Sequence, residues 1–155
     1  MSKTRAIDDA RLAGVDYELV IHPAVGSLEE AARLRGVQAS AVIKTMVVRR
    51  GDDDYVFILV PGDRVIDWPK LRTHLGVRRL SMPDADDALL VTGYRRGTIT
   101  PFSAARTLPV IADERIASGV VSIGAGAPGH SLTMDGADIV QVLGAQVVDV
   151  TRATV

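Results

Sequence analysis

Hydrophobic positions along this chain change period often, and the changes mark its elements. Ile7, Ala10 and Leu12 fall near helical spacing and stop at Gly14, which predicts a helix over about residues 4–13. Tyr17 to Ile21 alternates as a strand does and is halted by His22 and Pro23. Ser27 stands three residues before Glu30, the sequence form of a capping box, and predicts a helix that runs to Gly36. The β-rich runs Lys44–Val48 and Tyr55–Val60 flank a polar stretch from Arg49 to Asp54. They predict an antiparallel hairpin whose second strand is buried on both faces.

Asp67 can cap a short helix from Trp68 to Leu75, closed by Gly76, and Val77 to Met82 reads as the next strand. Asp84 opens a further helix toward Leu90. The stretch from Thr92 to Phe102 has neither period, and its two glycines and its proline predict a shaped loop. Short strands are expected around Pro109–Ala112, Val120–Ile123 and Ser131–Met134, then a helix over Ala137–Leu143 and a last strand over Gln146–Val150. Strands outnumber helices and several neighbours have hairpin-length connections. The predicted class is therefore α+β, one domain over residues 1–155 with a mixed, largely antiparallel sheet.

Composition narrows the function classes. The chain has no cysteine, so disulfides, thiolate nucleophiles and cysteine-ligated zinc drop out. The charged N-terminus lacks the apolar run of a signal peptide, and no later stretch approaches the ~20 apolar residues of a membrane span; the expected place is the cytoplasm. A formal net charge of -1 argues against a protein that coats nucleic acid, so any RNA contact must be local.

Candidate chemistry is sparse. Gly124, Gly126 and Gly129 match the dinucleotide fingerprint GxGxxG. The residues that follow alternate like a strand, however, and only six residues remain after Asp149, so a glycine-rich hairpin turn or pocket wall fits better than a nucleotide site. Lys44 sits at the start of an apolar strand, where its amine either snorkels to the surface or serves a site. His22 and His130 are candidate acid-base groups, but no carboxylate pattern beside them suggests a metal. No GxSxG elbow is present. Three arginine pairs, Arg49–Arg50, Arg78–Arg79 and Arg95–Arg96, read as solvated edge charges unless the fold gathers them round one cleft, where they would grip phosphates.

These residues taken together resemble the YbaK/ProX family, free-standing relatives of the editing domain inserted in bacterial prolyl-tRNA synthetases. The resemblance runs nearly end to end. It is carried by Ser27–Gly36, Val42–Thr45, Leu71–Gly76, Thr92–Tyr94, the Gly97-x-x-x-Pro101 loop, Ala125–Gly126 and the Gly136–Val140 segment. It implies a barrel-like sheet with surrounding helices and a trans-editing deacylase that hydrolyses the ester of mischarged tRNA, with a small amino acid on tRNA-Pro as the expected substrate.

By the same resemblance Lys44 is the essential lysine, anchoring a phosphate near the terminal adenosine as a point charge. Gly97 and its loop would present backbone N–H groups to the ester. Substrate contacts are expected from Thr45, Ser27, His22, Thr98, Ile99, Thr100, Pro101, Gly124, Gly126 and His130, without metal or cofactor. Water attack would be assisted by the terminal ribose hydroxyl.

The expected partners are the acceptor end of aminoacyl-tRNA and a synthetase, not DNA or a membrane. The chain departs from the cysteine-specific branch at Gly124, where serine is frequent, and near Ser131, where an acidic residue is. Thr100–Phe102 is similar to the alanine-editing branch and Lys44–Thr45 to the cysteine-specific one, so the amino acid is left open. A non-catalytic tRNA- or synthetase-binding module with the same fold is the alternative, and a nucleotide-binding regulator using Gly124–Gly129 is a more distant one.

Overall fold

The computed structural model describes residues 5–154. Nine strands are β1 (Tyr17–Ile21), β2 (Val42–Gly51), β3 (Asp54–Pro61), β4 (Arg64–Ile66), β5 (Val110–Asp113), β6 (Val120–Gly124), β7 (His130–Asp135), β8 (Gln146–Val148) and β9 (Thr151–Ala153). The four α-helices are α1 (Leu28–Arg35), α2 (Trp68–Leu75), α3 (Ala85–Thr92) and α4 (Gly136–Leu143). Seven strands bond in the row β1-β7-β6-β2-β3-β5-β8, with β1 and β8 at its ends, while β4 and β9 form an antiparallel ribbon. The long pairings, β1 with β7, β7 with β6 and β2 with β3, are antiparallel; the parallel ones are short. The expected α+β class with a mixed, largely antiparallel sheet is what forms.

β3 explains the layering. Tyr55 to Val60 are all buried, and alternate residues face opposite sides of the sheet. Phe57 and Leu59 join a core with Phe102, Ile123, Leu132 and Ile139. Val56 and Ile58 join a smaller one with Ile66, Leu71 and Val150 on the other side. The second core is sealed by Asp113, a fully buried carboxylate that accepts from Thr151 Oγ1 (2.8 Å) and the Val150 amide (3.2 Å) and pairs with Arg115 (3.1 Å). These bonds make it a structural tie for the C-terminal ribbon rather than a reactive group.

Helix signals in the sequence hold closely. Ser27 Oγ accepts from the Glu30 amide, Asp67 and Asp84 cap α2 and α3 in the same way, and Gly36 and Gly76 close their helices in the left-handed conformation. Three expectations fail. The helix over 4–13 is instead two 3₁₀ turns, Arg5–Asp8 and Ala10–Leu12, because Asp9 turns its carboxylate onto the Arg11 amide and restarts the chain there; Thr4 lies outside the described residues. Val77–Met82 is no strand and makes a single bridge, Ser81 to Arg49. The last expected strand forms only over Gln146–Val148, and after Asp149 and Val150 an unexpected strand, β9, joins the other sheet.

Candidate active site

β2 has two different edges. Along one it pairs with β3 over its length; along the other it pairs with β6 only through Val42 and Ile43 and next meets a partner at Arg49. Between those points the edge is open, and a cavity of about 610 Å³ lies there. It is lined by Lys44 to Val47, by Met82, Pro83 and Ala88, and by Arg96, Gly97 and Ile99, with Gly124 at the end of β6 and Arg35 at the end of α1. A volume of this order holds a small ligand or the end of a larger one.

The cavity is apolar but for a few groups. Lys44 is half-buried, and its ammonium donates to the Arg64 carbonyl, which spends one of three N–H bonds. Burial holds its pKa below the ordinary lysine value, while the nearby Asp63 carboxylate pulls the other way. Arg35 donates to His22 Nε2 (3.3 Å) and Ser122 Oγ (3.4 Å), and among the described residues it has no carboxylate partner. Burial lowers its pKa as well. The Thr45 hydroxyl is buried without a partner in the protein. Three basic side chains, Arg35, Lys44 and Arg96, and a hydroxyl in apolar walls favour an anionic or strongly polar ligand.

The loop from Tyr94 to Phe102 is held rigidly at its base. The Tyr94 hydroxyl donates to the Phe102 carbonyl, Arg11 donates to the Pro101 carbonyl (3.2 Å), and the Asp9 carboxylate accepts from the Ser103 amide (2.7 Å). Arg11 and the amides beside it hold the Asp9 carboxyl down to about 2. Gly97 lies at φ 90°, in the region that favours glycine, and nothing stands within 4 Å of where a Cβ would be. The amides of Gly97 and Ile99 have no acceptor among the described residues, whereas the Thr98 amide is used on Arg95 (2.9 Å).

The structure thus brings Lys44, Thr45, Gly97, Ile99 and Gly124 together around one cavity and places the other expected residues outside its walls. Ser27 is occupied as the α1 cap. The Thr98 hydroxyl donates to the Arg95 carbonyl, Thr100 is fully buried and accepts from the Phe102 amide, and Pro101 faces the opposite side of its loop, beside Arg11. Gly126 gives room to the Tyr94 ring, 2.5 Å from where its Cβ would stand, and Gly129 lies against the His22 carbonyl. The three fingerprint glycines therefore shape the β6–β7 hairpin. His22 donates from Nδ1 to the Pro23 carbonyl and offers Nε2 to Arg35. His130 donates from Nδ1 to the Pro128 carbonyl (2.9 Å), leaving a buried Nε2 with no partner. Arg35 was not legible as a site residue, since a basic residue in the last turn of a helix is ordinary. Among the described residues no group of His, Asp and Glu could hold a metal.

An apolar cavity on an open strand edge, lined by one lysine and two arginines, gives this α+β domain a recess suited to negative charge. Residues 22–142 match the model of the aminoacyl-tRNA editing domain, and the chain belongs to that family. It is 26% identical over 144 residues to the multifunctional Ser/Thr-tRNA deacylase ProXp-y of Escherichia coli K12, covering 90% of this chain and 86% of that one. It is 33% identical over 101 residues to the proline--tRNA ligase of Thermosipho melanesiensis, covering 65% of this chain but only 18% of the ligase. The chain thus spans about a fifth of the curated ligases it matches. A crystal structure assigned to a trans-editing enzyme for prolyl tRNA synthetase superposes with a TM-score of 0.84 at 22% identity, over 98% of this chain and all of the other.

Proposed function

We propose that this protein hydrolyses the ester between a small amino acid and the terminal ribose of a mischarged tRNA, with tRNA-Pro as the expected carrier. The observation that carries this reading is the cavity itself: apolar walls sized for an aminoacyl group, with Lys44 and the loop of unused amides among its lining.

An aminoacyl ester is already activated, so positioning and charge stabilisation suffice without a side-chain nucleophile. Water adds to the ester carbonyl carbon, and the oxyanion that forms lies against the Gly97 and Ile99 amides. The C–O bond to the ribose then breaks, and the departing ribose oxygen takes up the proton released by the water, relayed through the neighbouring ribose hydroxyl. Lys44 holds a terminal phosphate as a point charge with its remaining N–H bonds. Met46, Val47, Met82 and Ile99 surround the amino-acid side chain, which favours a short one, and the buried Thr45 hydroxyl would reward a polar atom at its tip.

Single-turnover deacylation of Ala-, Cys-, Ser- and Thr-tRNA tests the substrate, and removal of the terminal 2′-hydroxyl tests the relay. The expected result is one or two esters cleaved well above background, and at least a hundredfold loss on the 2′-deoxy substrate, on the order of what a positioned proton shuttle contributes. Background rates on every ester would instead favour a binding module without catalysis.

A further inference from the structure

The sequence leaves three arginine pairs unexplained, and the fold gathers two of them. Arg49 and Arg50 end β2, Arg72 lies in the last turn of α2, and Arg78 and Arg79 follow on the segment that returns to β2; all five line one cleft of about 520 Å³. The cleft is held together where Arg49 and Ser81 exchange backbone hydrogen bonds of 2.8 and 3.0 Å. Asp52 pairs with Arg49 at 2.9 Å and Asp54 with Arg50 at 3.0 Å. Arg72, Arg78 and Arg79 have no carboxylate within 4.0 Å among the described residues, and Arg78 and Arg79 are exposed. In a chain whose formal net charge is -1, this is a marked local excess of positive charge.

The cleft adjoins the catalytic cavity without being part of it. Ser81 lines the cleft and the next two residues, Met82 and Pro83, wall the cavity. On β2, Lys44 lies in the cavity and Arg49 in the cleft, five residues or roughly 17 Å of strand apart. A cation this far from the ester cannot touch the reacting atoms, yet an RNA strand whose 3′ end enters the cavity must leave across the neighbouring surface. Asp84, Asp86 and Asp87, which follow Pro83 at the start of α3, would repel an RNA strand led past them instead. The composition suits phosphate: the basic side chains are all arginine, whose planar fork binds phosphate oxygens in pairs. Leu80 is the sole large apolar side chain there, whereas a protein interface would need apolar or aromatic anchors.

We infer that this arginine cleft docks the sugar-phosphate backbone of the tRNA acceptor stem and so supplies affinity that the cavity alone lacks. The inference rests on the proposed deacylase function, since that reading places the RNA 3′ end in the cavity. The cleft binds backbone and not sequence, so its contribution falls with salt at about one unit of log–log slope for each phosphate neutralised.

The test uses the full chain and its Arg78→Gln/Arg79→Gln variant on two esters of the same amino acid, one on a stem-loop RNA with the acceptor sequence and one on a short single-stranded oligonucleotide. The variant is expected to lose on the order of tenfold in kcat/KM on the stem-loop, carried by KM, with a salt slope shallower by about two. On the single-stranded ester it is expected to match the wild type. Equal losses on both esters, or none on either, would overturn the inference, as would a loss seen only when a synthetase is added. Anisotropy binding of the uncharged stem-loop separates the two claims. If neither ester is cleaved by wild type, the deacylase reading fails, yet weakened stem-loop binding in the variant still upholds the cleft and unchanged binding still overturns it.

Discussion

At the scale of single residues, the cavity holds two cations, Lys44 and Arg35, where burial disfavours charge. Burial lowers the Lys44 pKa from 10.5, so a rate that needs the ammonium must fall as pH rises through that lowered value. After correction for spontaneous hydrolysis, the pH–rate profile is expected to lose activity on its alkaline side before pH 10.5 is reached. A flat profile to that point would remove the charge from the mechanism. Arg35 makes a complementary case, because a half-buried guanidinium without a carboxylate partner among the described residues adds little to stability. Arg35→Met is expected to leave the melting temperature unchanged or raised and to slow deacylation at least tenfold. A variant that unfolds early at full activity would make Arg35 structural. Lys44 was legible as an oddity in an apolar run; Arg35 was not, because its lack of an anion is a property of the fold and not of its neighbours in sequence.

At the scale of elements, local chemistry was readable and long-range pairing was not. The caps at Ser27, Asp67 and Asp84 are short-range devices, and the sequence carries each in full. The N-terminal turns, the bridge at Ser81 and the split between β8 and β9 depend on partners 32 to 94 residues away or on one competing carboxylate. The loop from Thr92 to Phe102 was recognisable as irregular, yet its stiffness comes from Asp9, Arg11 and Tyr94, which only the fold brings to it. Close backbone approach gives a further test. A Cβ at Gly136 would meet the Ile116 carbonyl oxygen. Gly136→Ala is therefore expected to destabilise by about 2–3 kcal/mol in a denaturant titration, within the range of backbone clashes. Gly97→Ala meets no atom and bears only the strain of its positive φ, about 1 kcal/mol. Equal effects at the two positions would mean that the β6–β7 side of the core yields more readily than its contacts suggest.

At the scale of the whole molecule, one structural choice creates the site: β6 stops pairing with β2 after Ile43, and the open edge becomes a cavity rather than more sheet. Family resemblance in the sequence reached the lysine and the Gly97 loop, and five of the expected residues do meet at that edge. Of the others, Ser27 caps α1, Gly126 gives room to the Tyr94 ring, and Thr98 and Thr100 bond within their own loop, so they line no part of the cavity. The measurement that tests the central claim most directly is single-turnover hydrolysis of mischarged tRNA by wild type and Lys44→Ala, with folding of both verified by thermal melting. The account predicts rapid release of a small amino acid by the wild type and at least a hundredfold slower release by an equally stable variant, about 2.7 kcal/mol of lost transition-state stabilisation. Equal rates for the two folded proteins would contradict it.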